Sequence, residues 1–74
     1  MTIDQIIDFM ERVIAEDGLS GNRAGLRNTQ IAAGVLMAAA NYSDDKAAAQ
    51  RFRLLAAEAA NKNEDLAGED SLSF

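Results

Sequence analysis

The stretch TQIAAGVLMAAANYSDDKAAAQRFRLLAAEAA, residues 29–60, decides the fold of this chain. Two alanine-rich segments with helical spacing of their apolar residues flank a short polar turn at residues 41–43. Asn28 is a suitable cap for a helix from about Thr29 to about Ala40, and Ser43 for the helix that follows. We therefore expect a helical hairpin.

Small residues indicate that the two helices of this hairpin pack closely. Alanines recur at seven-residue spacing on both sides of the turn, as Ala32 with Ala39 and Ala49 with Ala56. Such positions let antiparallel helices approach to the lower end of the usual spacing of about 8–10 Å. We expect a tight antiparallel pair.

One of the two helices has a single well-defined apolar face, and the other does not. In the second helix of the hairpin one face is shared by Ala48, Phe52, Leu55, Ala56 and Ala59. In the first, one side carries Ile31, Val35, Ala38 and Ala39, but Leu36 and Met37 point away from it. A helix that is apolar nearly all round is typical of a buried helix.

The N-terminal segment predicts another helix, laid across the hairpin. Thr2 and Gln5 form a capping-box pattern. The apolar residues that follow recur on one face: Ile3, Ile6, Ile7, Met10, Val13 and Ile14. Gly18 offers a left-handed stop. The chain is thus expected to be an all-α, three-helix domain.

Two segments lack this periodicity. Residues 18–28 contain three glycines among polar residues, which predicts a connector with at most one helical turn. Residues 64–74 are acidic and aperiodic, which predicts a flexible, disordered tail. The expected organisation is one helical domain over residues 1–63 and a tail over residues 64–74.

The composition argues against catalysis. The chain of 74 residues has no His and no Cys, and its fifteen alanines supply no chemistry. The commonest general base, His, and the thiol nucleophile, Cys, are therefore missing, and with them two of the usual metal ligands. We expect a non-catalytic protein without cofactor, metal site or catalytic residues.

The sequence predicts a soluble, cytoplasmic protein. Acidic residues interrupt the first apolar segment, so that it does not read as a secretory signal. The apolar run at residues 31–40 is about half of what a bilayer crossing needs. The absence of cysteine fits a reducing compartment.

Charge gives the main functional hypothesis. The formal net charge is −5, and acidic residues lie opposite the apolar face of the first helix: Asp4, Asp8, Glu11 and Glu16. Carboxylates can occupy a cationic groove where phosphates would otherwise bind. We expect this acidic face to bind another protein with a basic surface, and nucleic acid to be an unfavourable partner.

In size and charge the chain resembles small acidic inhibitors that phages carry against host defence, including some anti-CRISPR proteins. The resemblance implies a phage or mobile-element accessory protein that inhibits a nucleic-acid-handling target.

Two alternatives remain open. The layout of the hairpin is similar to a helix-turn-helix, with Arg51 and Arg53 available for DNA, although Asp44 and Asp45 oppose phosphate. The second alternative is a structural homodimer. Its possible interface is formed by apolar residues outside the core faces: Phe9, Met37 and Leu54.

Overall fold

Three α-helices make up the part of the chain that the computed structural model describes, residues 1–72. They are α1 (Ile3–Ser20), α2 (Arg23–Tyr42) and α3 (Lys46–Leu72). The most extensive packing is between α2 and α3, and α1 packs on both. The predicted all-α fold, with a first helix across a 2/3 hairpin, is confirmed.

The start of α1 follows its sequence pattern. The Thr2 hydroxyl accepts a hydrogen bond from the Gln5 backbone N–H at 3.1 Å, and the Gln5 side chain accepts one from the Thr2 N–H at 2.9 Å. Both otherwise unpaired backbone donors are satisfied in this way. The helix then buries Ile7, Met10 and Ile14 from the predicted face.

The connection between α1 and α2 is much shorter than the predicted connector over residues 18–28. Helix α1 runs past Gly18 to Ser20, and Gly21 provides the left-handed stop with φ 73°. Asn22 then caps α2, because its side-chain oxygen accepts from the Gly25 N–H at 2.9 Å. The cost of a glycine inside a helix, about 1 kcal/mol, is offset by these caps and by core packing.

A side chain at position 25 would displace two neighbouring side chains. A Cβ on this residue would lie 2.7 Å from the Asn22 amide nitrogen and would also overlap the Asp17 carboxylate. These two side chains are themselves hydrogen-bonded, Asn22 Nδ2 to Asp17 Oδ1 at 3.3 Å. The glycine therefore leaves room for the turn that joins α1 to α2.

The orientation of α2 differs from the prediction. It buries Leu26, Thr29 and Ala33, while Ile31 and Val35 are 55% and 65% exposed. The expectation of a helix buried on all sides was wrong. Its earlier start brings Leu26, which is fully buried, into the helix, and this residue extends a second apolar face.

That second face continues towards the hairpin turn. Leu36, Met37 and Ala40 pack half-buried against the core, which comprises Ile7, Met10, Ile14, Leu26, Ala33, Ala48, Phe52, Leu55 and Ala59. The α3 residues of this core are those that the sequence predicted. The hairpin therefore uses the predicted face of α3 and the less obvious face of α2.

Asp45, rather than Ser43, caps α3. Its side chain accepts from the Ala48 N–H at 3.1 Å, while the Ser43 N–H closes α2 by donating to the Ala39 carbonyl at 3.0 Å. Asp44 lies between them with φ 58°, a left-handed conformation that Asp adopts more readily than most residues. The turn thus uses the Asp45 side chain as a cap and the left-handed conformation of Asp44.

The far end of the hairpin is also tied. The Arg23 Nε donates to the Asn63 side-chain oxygen at 2.7 Å, so that the first residue of α2 meets α3 forty positions later in the chain. Together with the tight turn at residues 43–45, this contact shows that α2 and α3 run antiparallel over the whole length of α2.

Helix α3 continues where the sequence predicted a tail. It spans 27 residues against 20 in α2, and so residues 64–72 are helical rather than irregular. Leu66 packs half-buried against the core, which gives the first turns after Asn63 a reason to remain helical. Ser73 and Phe74, the end of the predicted tail, lie outside the described residues.

We expect Gly25→Ala to destabilise the protein by about 1–2 kcal/mol, because the new methyl group displaces Asp17 and the Asn22 cap. Gly34→Ala is the matched control, since an added Cβ there meets nothing within 4 Å. It should stabilise by about 0.5–1 kcal/mol. Urea unfolding of both variants measures the difference, and stabilisation by both would contradict the capping arrangement.

Candidate protein-binding surfaces

The acidic residues predicted on the first helix are all exposed in α1: Asp4, Asp8, Glu11 and Glu16. They do not form one face. Asp4, Asp8 and Glu11 follow one another on successive turns, whereas Glu16 lies about 140° around the helix from Glu11. Glu16 shares its side of α1 with Phe9, seven residues before it. The predicted face therefore divides into a group of three and a separate residue.

Asp4 has a cationic neighbour that the sequence did not reveal. Its carboxylate lies 2.5 Å from the Arg51 guanidinium of α3. The Asp4 side chain is 75% exposed and that of Arg51 46%, so water screens the pair and its contribution to stability is small. The charge of Asp4 is nevertheless offset, and the free carboxylates of this group are Asp8 and Glu11.

Glu11 lies at a groove between α1 and α3. This groove, of about 170 Å³, is lined by Ile7, Glu11, Arg51, Leu54, Leu55 and Glu58. Each helix contributes an apolar residue followed four positions later by a glutamate: Ile7 with Glu11, and Leu54 with Glu58. We call the groove formed by these four residues, Leu55 and the Asp4-paired Arg51 the acidic groove, because its two glutamates outnumber its one cation.

The fold brings Leu54 next to two glutamates. The sequence marked it as an apolar residue on the polar side of its helix, and it is 55% exposed. The structure places it beside Glu11 of α1 and Glu58 of its own helix. Glu58 was not among the predicted site residues, because only the packing of α1 on α3 connects it with Glu11.

The acidic groove has the chemistry to receive a lysine or arginine side chain. Such a side chain carries an alkyl stem, which can cover Ile7, Leu54 and Leu55, and a cationic head that glutamates bind. Glu11 of α1 and Glu58 of α3 can contact this cationic head from two sides. The groove is open and shallow, as a surface for a protruding side chain would be.

Comparison with known protein families, with curated proteins and with solved structures gave no match for this chain. The surfaces described above therefore carry the functional argument.

The other two residues of the possible interface lie apart from the acidic groove. Phe9 is 65% exposed and borders a wider groove between α1 and α2, of about 360 Å³. Met37 is half-buried and packs against the core, because α2 turns its Leu26 side inward. It therefore contributes to the packing of this chain and forms no surface with Phe9 or Leu54.

The geometry of the hairpin differs from a helix-turn-helix. The two helices of that motif cross at about 90–120°, whereas α2 and α3 lie antiparallel over the length of α2. Arg51 is engaged by Asp4, and the Arg53 Nε donates to the Gln50 side chain at 3.0 Å.

Among the described residues, no group of three or more acidic, His or Cys side chains is placed to hold a metal ion. In the same part of the chain, no helix combines the length and the apolar character that crossing a bilayer requires.

We expect the Asp4–Arg51 pair to contribute less than about 1 kcal/mol to stability, since both side chains are well exposed. A double-mutant cycle with Asp4→Ala, Arg51→Ala and the double variant isolates this coupling energy in urea unfolding. A coupling several times larger would contradict the description of the pair as a screened surface contact.

Proposed function

We propose that this protein is a non-catalytic, cytoplasmic binding protein that modulates another protein, most simply by inhibition, and that the acidic groove contacts a basic surface of that target. The observation that carries the proposal is the juxtaposition of Glu11, Leu54 and Glu58 across two helices. Apolar surface and carboxylates together favour a basic side chain over a free anion or an uncharged ligand.

The distribution of charge supports this choice. Three of the arginines have a hydrogen-bond partner within the chain: Arg51 has the Asp4 carboxylate, which offsets its charge, and Arg23 and Arg53 have the neutral amides of Asn63 and Gln50. The carboxylates of Asp8, Glu11, Glu58 and Glu16 are exposed. With a net charge of −5, the protein has long-range attraction for cationic surfaces, which speeds association and selects the partner.

The target class follows from the same electrostatics. A protein that handles nucleic acid has a groove lined by lysine and arginine, and an acidic helical surface can enter it in place of phosphates. Binding there would exclude the nucleic acid by competition. In this most specific form the protein is a phage-type inhibitor whose target is a basic nucleic-acid-binding protein.

We expect the double variant Glu11→Lys, Glu58→Lys to lose at least about tenfold in target capture from host lysate, because it reverses both charges of the acidic groove. The double variant Glu64→Lys, Asp65→Lys is the matched control, since it makes the same change in net charge near the end of α3. It should capture the target within about twofold of the wild type.

The competition step has its own measurement. The captured protein, once purified, is titrated with its nucleic acid in the presence and absence of this chain, and displacement by the wild type but not by the groove variant is the expected result. Equal loss of capture in both double variants would reduce the effect to overall charge. Capture of no protein by the wild type would contradict the proposal altogether.

A further inference from the structure

The outer side of α2 carries a seam that the fold leaves uncovered. Six exposed residues follow one another at spacings of four, three, four, three and four: Ala24, Asn28, Ile31, Val35, Ala38 and Tyr42. We call them the outer stripe. It lies opposite Leu26, Ala33 and Ala40, which face the core, and no charged residue belongs to it.

This spacing is that of a helix-packing seam. Alternating steps of three and four residues keep side chains on the narrow face that two long helices bury between them. The large members are far from buried: Ile31 is 55%, Val35 65% and Tyr42 95% exposed. The stripe extends over 19 residues, or about 27 Å of helix, so it is a continuous surface rather than scattered apolar residues.

We propose that the outer stripe binds the outer stripe of a second copy of this chain, with the two α2 helices antiparallel about a two-fold axis near the middle of α2. In this pairing Ile31 meets Val35 of the second copy, and Val35 meets its Ile31. Asn28 meets Ala38, and Ala24 meets Tyr42. Each layer then sets a larger side chain against a smaller one.

The antiparallel arrangement suits this sequence better than the parallel one. In a parallel pair each residue would meet its own copy, which stacks Tyr42 on Tyr42 at one end and leaves Ala24 against Ala24 at the other. Antiparallel pairing gives layers of more even volume, as close packing requires. It also places Arg27, the charged residue flanking the stripe, beside Asn41 of the second copy.

The protein exposes more surface than a compact monomer of its mass. The chain exposes 5125 Å², about 700 Å² more than the roughly 4,400 Å² expected of a compact monomer of 7.9 kDa. A stable interface buries about 800 Å² on each partner. The projecting end of α3 accounts for part of this excess, and the outer stripe with its neighbours for another part.

Neighbouring residues would join the interface. Asn28 belongs both to the outer stripe and to the wider groove between α1 and α2, where Phe9 is exposed. The flanking residues Ala32 and Ala39 are small, so the second α2 helix can approach closely enough to reach Phe9. This dimer differs from one built on Leu54, which lies in the acidic groove, and does not depend on the proposed function.

Sedimentation velocity tests the dimer with two variants matched in exposure. Ile31 and Leu54 are both 55% exposed, so that Ile31→Glu and Leu54→Glu add the same charge at equally accessible positions. The wild type should be a dimer at about 10–100 μM. Ile31→Glu should raise the dissociation constant by at least about 30-fold, and Leu54→Glu should leave it unchanged within about twofold.

A monomeric wild type would overturn the proposal, and so would dissociation by Leu54→Glu but not by Ile31→Glu. Circular dichroism confirms that each variant keeps its helices. Target capture responds in the opposite way, because Leu54 is in the acidic groove and Ile31 is not, so failure of one proposal is distinguishable from failure of the other.

Cysteine cross-linking tests the orientation without disturbing the core. The chain has no cysteine, so Ala24→Cys and Tyr42→Cys are each the only thiol present. The antiparallel pair brings the two positions together, and oxidation of a mixture should yield the mixed disulfide. Each variant alone should cross-link poorly, since the like positions are about 27 Å apart. Efficient cross-linking of Ala24→Cys with itself would contradict the antiparallel arrangement.

Discussion

The packing of α2 against α3 is the contact on which the rest of the structure depends. Helix α2 has apolar residues on two sides, and α3 covers the side that carries Leu26, Ala33 and Ala40. The caps at Asn22 and Asp45 fix both ends of this arrangement, and the Arg23–Asn63 hydrogen bond ties its open end. Helix α1 then closes the core with Ile7, Met10 and Ile14.

The acidic groove and the outer stripe are both consequences of that packing. Once Leu26 is inside, Ile31 and Val35 have to face outward, which creates the outer stripe. Once α1 lies on α3, Ile7 and Glu11 come beside Leu54 and Glu58, which creates the acidic groove. The surfaces use different helices, so that self-association through α2 would leave the groove between α1 and α3 accessible to a target.

Local signals made much of this fold predictable. The capping box of Thr2 and Gln5, the apolar face of α1 and the core residues of α3 could all be identified from spacing. The orientation of α2 could not, because both of its apolar sides have helical periodicity and burial alone distinguishes them. Gly18 also concealed the end of α1, and Gly25 the start of α2, since the cost of each glycine in a helix is outweighed by tertiary contacts.

The candidate sites were less predictable than the fold. The exposure of Asp8, Glu11 and Leu54 follows from the amphipathic pattern. Their proximity to Glu58 depends on how α1 packs against α3. The pairing of Asp4 with Arg51, 47 positions later in the chain, depends on the same packing. A single sequence contains no local signal for such contacts. The helix after Asn63 was not predictable for the same reason, because Leu66 packs against the core only when α3 continues that far.

The most direct test of this account is a nuclear Overhauser spectrum of methyl-labelled protein, recorded with filters that separate contacts within one chain from contacts between copies. Contacts within the chain are expected from the Leu26 and Ala33 methyl groups to core side chains of α3, and none from Ile31 or Val35. Contacts of Ile31 and Val35 with the Phe52 ring of the same chain would contradict it, because they would require α2 to bury the opposite side.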